Sequence, residues 1–128
     1  MLTTQIALAK MRELCSSLPG TTERAHFGEA MFYVGKKGFA SCGEKDGSCR
    51  FVFQLEDEHT EQLLRTDKRF ARYPLAKECL VLHAAEAKSW AEVKKLVLES
   101  YQLVVETQRA KRVAAKKKAA PAKRRTPA

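Results

Sequence analysis

The chain has 128 residues, enough for one folded domain with its own core and a short extension. It carries 24 lysines and arginines against 15 aspartates and glutamates, a net charge of +9, and it contains no apolar run long enough to span a membrane. Its four cysteines include no Cys-x-x-Cys pair, and we find no pattern of a secretory signal at the N-terminus. We therefore expect reduced thiols and a cytoplasmic protein.

The first predicted element is an amphipathic helix over residues 3–18, where apolar side chains recur at steps of three and four. Thr3 or Thr4 can cap this helix, and Pro19 and Gly20 end it. Short segments rich in aromatic and β-branched residues follow at 31–34, 39–42 and 50–55, separated by glycine-containing turns at 35–38 and 43–48. This pattern predicts antiparallel strands.

In the third of these strands the side chains alternate between two faces. Phe51, Phe53 and Leu55 share one face, which we expect to be buried, while Arg50, Val52 and Gln54 point the other way. A turn symmetric about Lys45 and Asp46 would place Cys42 opposite Cys49. In a reducing compartment we interpret the two cysteines as a structural pair of thiols, and a disulfide between them is the alternative.

A second helix is predicted from Asp57 to about Thr66, with acidic residues in its first turn. A basic stretch at 65–77 follows, and Phe70 and Tyr73 within it can either anchor a loop to the core or stack on unpaired bases. Residues 78–84 predict one more strand. The order of elements predicts an α+β domain, in which an antiparallel sheet is backed by N-terminal and C-terminal helices.

The last predicted helix begins at Ser89, which forms a capping-box pattern with Glu92. Its apolar stripe ends near Glu106, and alanines and lysines can extend the helix until Pro121 stops it. We divide the chain after Gln108 into a domain, 1–108, and a basic tail, 109–128, that is partly helical or disordered. The domain holds 15 basic and 15 acidic residues, so the entire net charge of +9 belongs to the tail.

Several strings of the domain, taken in order, are similar to the MmcQ/YjbR family over about residues 5–106. The similarity is carried by 18–20, Glu23, Phe27-Gly28, 32–36, Phe39-Ala40, Ser89-Trp90, Glu92-Val93 and 100–104. It implies a CyaY-like fold and a DNA-binding role through a double-wing arrangement of hairpins. Residues 72–78 depart from the glycine-containing loop of the family, and the tail resembles the Lys/Ala/Pro arms of linker histones and nucleoid proteins.

The tail is the strongest candidate for a binding site, because nine cations without an acid can neutralise several phosphates. A second candidate surface consists of basic hairpin tips and one strand residue, which can contact a phosphate backbone as wings; its alternative is an ordinary solvated hairpin surface. The candidate nucleic-acid-binding residues are Lys36, Lys37, Lys45, Arg50, Arg109, Lys111, Arg112, Lys116, Lys117, Lys118, Lys123, Arg124 and Arg125.

The sequence predicts no catalytic residues, no metal site and no cofactor. His26, His59 and His83 are far apart and lack a nucleophile pattern, and no phosphate-binding or zinc motif is present. Frataxins, which handle iron and share the CyaY-like fold, carry an acidic ridge on their first helix. Residues 3–18 hold only Glu13 as an acid, which argues against iron handling.

These observations predict a non-enzymatic DNA-binding protein, associated with the nucleoid and favoured as a monomer, that binds phosphate backbones largely without regard to sequence. RNA is an alternative polyanion. A membrane partner is not expected, since the tail has no large apolar side chains to insert. The alternative function is a small-ligand or protein-interaction domain with a tail that tethers it to nucleic acid.

Overall fold

The computed structural model describes residues 3–26 and 29–125, with side chains up to Ala114 except that of His26. Phe27 and Gly28, which belong to the family resemblance, lie outside the described residues, as does the end of the tail at 126–128. The elements in chain order are α1 (Thr4–Ser16), β1 (Thr21–His26), β2 (Glu29–Val34), β3 (Lys37–Lys45), β4 (Ser48–Gln54), α2 (Asp57–Thr66), β5 (Phe70–Tyr73), β6 (Ala76–His83), a 3₁₀ turn (Ala84–Glu86) and α3 (Trp90–Arg125).

The fold is α+β, as predicted. The strands form one antiparallel sheet in the order β1-β2-β3-β4-β6-β5, and α1 and α3 pack on one of its faces. Alternate residues of the strands, Phe32, Phe51 and Leu80 among them, are buried against Met11 of α1 and Val97 of α3. The opposite face of the sheet, which we call the outer face, carries no helix among the described elements.

Two edge strands were not predicted. The segment of β1 (Thr21–His26) is polar, and its side chains up to Ala25 are exposed or half-buried, so it has no buried alternating pattern to reveal it. The segment of β5 (Phe70–Tyr73) is only four residues long, too short to show an alternating pattern, and the sequence predicts a loop there. Phe70 is buried in the core, which confirms its role as an anchor.

The predicted register, with Cys42 directly opposite Cys49, is wrong by one step in the turn. The two thiols still form a pair, because a hydrogen bond between them raises the pKa of Cys42 and lowers the pKa of Cys49 to about 7. Cys42 lies opposite Phe51, and Cys49 lies opposite Glu44, because the hairpin turns at Asp46 and Gly47 and not at Lys45 and Asp46. Asp46 and Gly47 have φ of 53° and 78°, the positive values that a two-residue hairpin turn with right-handed strand twist requires. All four cysteines are free thiols.

Helix α3 begins as its capping pattern predicts and ends later than predicted. The backbone amide of Glu92 donates to the Ser89 hydroxyl at 3.3 Å, while the Glu92 carboxylate accepts from the amide of Lys88. The helix continues through Pro121 to Arg125, so the expected stop at this proline is wrong. The surrounding alanines and lysines have high helix propensity and favour continuation. None of the described helices is long and apolar enough to cross a bilayer.

A β-bulge in β3 provides the main polar contact between α3 and the sheet. Phe32 lies opposite Ala40 and Tyr33 opposite Gly38, which leaves Phe39 as the extra residue. The fully buried Ser100 hydroxyl of α3 donates to the Phe39 carbonyl and accepts from the amide of Gln54 at 2.9 Å. One hydroxyl therefore satisfies two backbone groups and holds α3 at one register on the sheet.

We expect Ser100→Ala to destabilise the domain by about 1–3 kcal/mol, because it leaves a buried amide and a buried carbonyl without this partner. Urea unfolding of the full chain measures the change. Ser16→Ala is the matched control, since the Ser16 hydroxyl is exposed and donates only to the Glu13 carbonyl. Equal unfolding free energies for the two variants would show that the contact at the bulge contributes no stability.

Candidate nucleic-acid interface

The connections between strands place the hairpin turns at two opposite ends of the sheet. The β2–β3 turn and the β5–β6 turn lie at one end of the sheet. The end of β4 at Gln54 lies beside the start of β3, and Gln54 pairs with Cys79 near the start of β6. The β3–β4 turn at Asp46 and Gly47 lies at the other end. Nine residues of β3 separate the two ends, a length of about 26 Å at about 3.3 Å per residue.

Helix α3 leaves the sheet at the first of these ends. The Gln108 side chain donates from Nε2 to the Val34 carbonyl at 2.7 Å, just before the β2–β3 turn. Gly35 in that turn has φ of +62°, and a Cβ there would collide with the Gln108 amide. We call this end of the sheet, with the β2–β3 turn, the β5–β6 turn and Gln108, the helix-exit end.

Five of the predicted binding residues come together at the helix-exit end. Lys36 and Lys37 follow Gly35 and are exposed, and the exposed residues Arg109, Lys111 and Arg112 follow Gln108. The remaining tail cations, Lys116, Lys117, Lys118, Lys123, Arg124 and Arg125, lie on the helical backbone that continues from there. The 17 residues from Arg109 to Arg125 span about 25 Å at 1.5 Å per residue.

Lys45 and Arg50 do not join this cluster. Lys45 is exposed beside the β3–β4 turn, at the opposite end of β3 from Lys37. The two basic hairpin turns that the sequence predicts to act together as wings are therefore far apart. The hairpin tip that shares the helix-exit end with Lys36 and Lys37 is the β5–β6 turn, which carries Pro74 and the 74% exposed side chain of Leu75.

Arg50 is engaged in an ion pair on the outer face of the sheet. Its Nε and Nη2 donate to the two carboxylate oxygens of Glu29 at 3.1 and 3.0 Å, and only 13% and 9% of the two side chains is exposed. The hydrogen bonds to Glu29 raise the pKa of Arg50. Gly43 lies between the two residues, and a side chain there would collide with Glu29, so a glycine is needed for this cross-strand pair.

Other arginines of the domain also bond to carboxylates of their own chain. Arg12 pairs with Glu23, and Arg72 pairs with Glu61. These pairs reduce the positive charge that the folded domain offers to an external anion.

A groove of about 610 Å³ lies between α2 and the start of α3. Arg69 crosses it and bonds to Asp67 and Glu92 at 2.8 Å each, and these bonds lower the pKa of both carboxyl groups. His59 Nδ1 lies 2.8 Å from the Glu99 carboxylate in the same groove. The charged groups of this groove thus bind one another, which joins α2 and the β5 segment to α3.

A smaller pocket of about 240 Å³ lies on the outer face, toward the helix-exit end. Val52 and Ser41 form part of it and are 6% and 5% exposed, so this face is more buried than its lack of a helix indicates. Tyr33 and Tyr73 line the pocket from strands on either side. Tyr73 was a candidate for stacking from the sequence, whereas Tyr33 and Leu75 were not. Their only sequence signal was an aromatic or apolar residue beside a turn.

The described elements form a small α+β protein whose sheet is covered by helices on one face and by none on the other. Comparison with known proteins gives the family of the chain. The chain belongs to the YjbR family, whose model matches residues 16–103. This match confirms the resemblance found in the sequence. No curated protein matches the chain.

Two of the solved structures that match the chain illustrate the shared fold. A Deinococcus radiodurans protein with a DUF419 domain superposes with a TM-score of 0.65 at 21% identity, covering 81% of this chain and 82% of that one. A Pseudomonas syringae protein superposes with a TM-score of 0.58 at 15% identity, covering 74% and 96% of the two chains. At these identities the likeness establishes the architecture alone.

We expect Glu29→Ala to destabilise the full chain by about 3 kcal/mol, because Arg50 then remains in a largely buried position without its counter-charge. Unfolding in urea at neutral pH measures the effect. Glu23→Ala is the matched control, since it breaks the similar but exposed pair with Arg12 and should cost much less stability. An equal cost for the two variants would contradict a structural role for the pair of Glu29 and Arg50.

Proposed function

We propose that this protein binds DNA through the phosphate backbone, with α3 beyond Gln108 as the main binding element and the Lys36–Lys37 turn as a secondary contact. The observation that carries this proposal is the separation of charge. Residues 1–108 sum to zero, residues 109–128 carry nine cations and no acid, and the helix takes these cations away from the sheet beside two more lysines. Cations collected without counter-charges favour a polyanion.

The chemistry of this element favours affinity over sequence recognition. Lysine and arginine side chains neutralise phosphates and release counterions from DNA, which gives binding that does not depend on the base sequence. An α-helix also fits the width of the major groove of DNA. The Arg109–Arg125 segment is rich in alanine and holds no asparagine or glutamine except at its flank in Gln108, so it offers few partners for adenine.

In this proposal the folded domain orients the helix. Bonds of α3 to the bulge and to Val34 set the point at which the basic segment begins. Lys36 and Lys37 then extend the positive surface from the helix onto the β2–β3 turn. Lys45 lies on the far end of the sheet, and the carboxylate of Glu29 already neutralises Arg50, so both contribute less than Lys36 and Lys37.

We propose a binding role and not a catalytic one. The imidazole of His83 does lie 2.9 Å from the Ser48 hydroxyl, yet both residues lie outside the groove and the outer-face pocket described above. His59 is bonded to Glu99. A protein with this binding mode belongs with the nucleoid in the cytoplasm, where duplex DNA is abundant.

The test is a salt series on the full chain with duplex DNA, read by fluorescence anisotropy. If most of the nine cations engage phosphates, log K against log salt should fall with a slope on the order of −5 to −8. Replacing all nine with glutamine should weaken binding at least tenfold and flatten the slope toward zero, because counterion release is lost. A chain ending at Gln108 should behave in the same way.

Lys94→Gln with Lys95→Gln is the matched control, since it removes two exposed cations from the same helix within the domain. This variant should keep the slope and affinity of the natural chain. Equal binding by the nine-glutamine variant and the natural chain would refute the proposal. A flat salt dependence of the natural chain would do the same.

A further inference from the structure

The pocket on the outer face of the sheet has no role in the phosphate binding proposed above. Its apolar floor includes Val52 and Met31, and Ser41 and Gln54 add a hydroxyl and an amide to its lining. Cys79 also lines it, and burial raises the pKa of this thiol to about 11, so the thiol is neutral at physiological pH. The lining of the pocket is therefore mostly apolar, with hydrogen-bonding groups at a few points, and Lys37 and Glu78 are its charged members.

The size of the pocket limits its ligand. At about 240 Å³ it lies below the roughly 300–1,000 Å³ of pockets that hold drug-sized molecules. A single small ring fits this space and an extended ligand does not. Gly38, directly opposite Tyr33 in the sheet, lacks a side chain that would fill the pocket at this point.

Two tyrosines from well-separated strands line this space. Tyr33 lies on β2 and Tyr73 on β5, and both side chains are half-buried. An arginine guanidinium lies over each ring: Arg24 is 5.5 Å from the Tyr33 centroid, and Arg50 is 5.3 Å from the Tyr73 centroid. These contacts hold the rings in place. Aromatic rings of this kind stack on nucleobases of any sequence, because every base has a π-face.

The pocket also adjoins the basic cluster. Lys37 is one of its lining residues, next to Lys36 and to the turn that contacts Gln108. A nucleotide whose base entered the pocket would have its phosphate within reach of these lysines and of the start of the basic helix. Glu78 also lines the pocket, and its carboxylate can accept a hydrogen bond from an N–H group of a base, such as N3–H of thymine.

We propose that the outer-face pocket receives one unpaired nucleobase of a single-stranded nucleic acid, stacked on Tyr33 or Tyr73, while Lys36, Lys37 and the basic helix hold the adjacent phosphates. This inference rests on the proposed function, because the pocket supplies stacking and the basic helix supplies most of the affinity. It adds a ligand class to that function. Duplex DNA can bind only to the basic helix and the adjacent lysines, whereas a single strand or a frayed end can also place a base in the pocket.

The test compares two probes on the full chain by anisotropy: a single-stranded oligothymidylate and a duplex of the same length. At least one of Tyr33→Ala and Tyr73→Ala should weaken single-strand binding about fivefold or more, the lower end of what a stacked base contributes. Their duplex affinity should stay within about twofold of the natural chain. Tyr33→Phe and Tyr73→Phe keep the ring and should bind both probes as the natural chain does.

The outcomes separate this inference from the proposed function. Unchanged single-strand binding by both alanine variants, with salt-dependent duplex binding intact, would overturn the pocket and leave the proposed function standing. An equal loss on both probes would overturn the pocket too, because it would reflect damage to the fold. Absence of binding to either probe by the natural chain would overturn both proposals.

Discussion

The position of α3 on the sheet depends on the buried hydroxyl of Ser100. It bonds to the carbonyl of Phe39, the extra residue of the β3 bulge, and to the amide of Gln54, so these two bonds form together at only one helical register. The next residue, Tyr101, packs edge-on against Phe39 at 5.4 Å and donates its hydroxyl to the Pro19 carbonyl at 2.7 Å. Because a helix rises by a constant step, these contacts determine that Gln108 meets Val34 and where the cations begin.

The charges of the protein divide in the same way as its packing. Within the domain, four of the six arginines are bonded to nearby carboxylates, most deeply at Arg50 and Arg69, and the sum of charges is zero. Beyond Gln108 the residues through Ala114 are all exposed, and there is no acid to offset the cations. Substitutions in the tail can therefore change the affinity for a polyanion with little effect on the stability of the core. Substitutions in the core can likewise change stability with little effect on that affinity.

The sequence was informative where burial imposes a period. Helix α2 was predicted with its observed limits, and the alternation of Phe51, Phe53 and Leu55 identified the buried face of β4. The edge strands β1 and β5 escaped prediction because one is polar and the other is short. The turn at Asp46 and Gly47 was misplaced by one residue, which was enough to misalign Cys42 and Cys49.

The candidate site was harder to predict, since its composition was visible and its geometry was not. The excess of cations in the tail follows from counting. The geometry depends on strand connections and on a glycine between two charges. The strand connections place Lys37 beside the tail and Lys45 at the other end, and Gly43 lets Glu29 reach Arg50. The stacking pocket requires Tyr33 and Tyr73 on one face, and the second of these belongs to a strand that the sequence did not reveal.

The central claim is that DNA engages the helix-exit end of the sheet and the helix beyond it. Hydrogen–deuterium exchange of the full chain, with and without a short duplex, tests this residue by residue. The account predicts slower exchange after Gln108 and in the turn at Lys36 and Lys37, with no change in the turn at Asp46 and Gly47. Slower exchange at Asp46 and Gly47, or unaltered exchange after Gln108 in the complex, would contradict it.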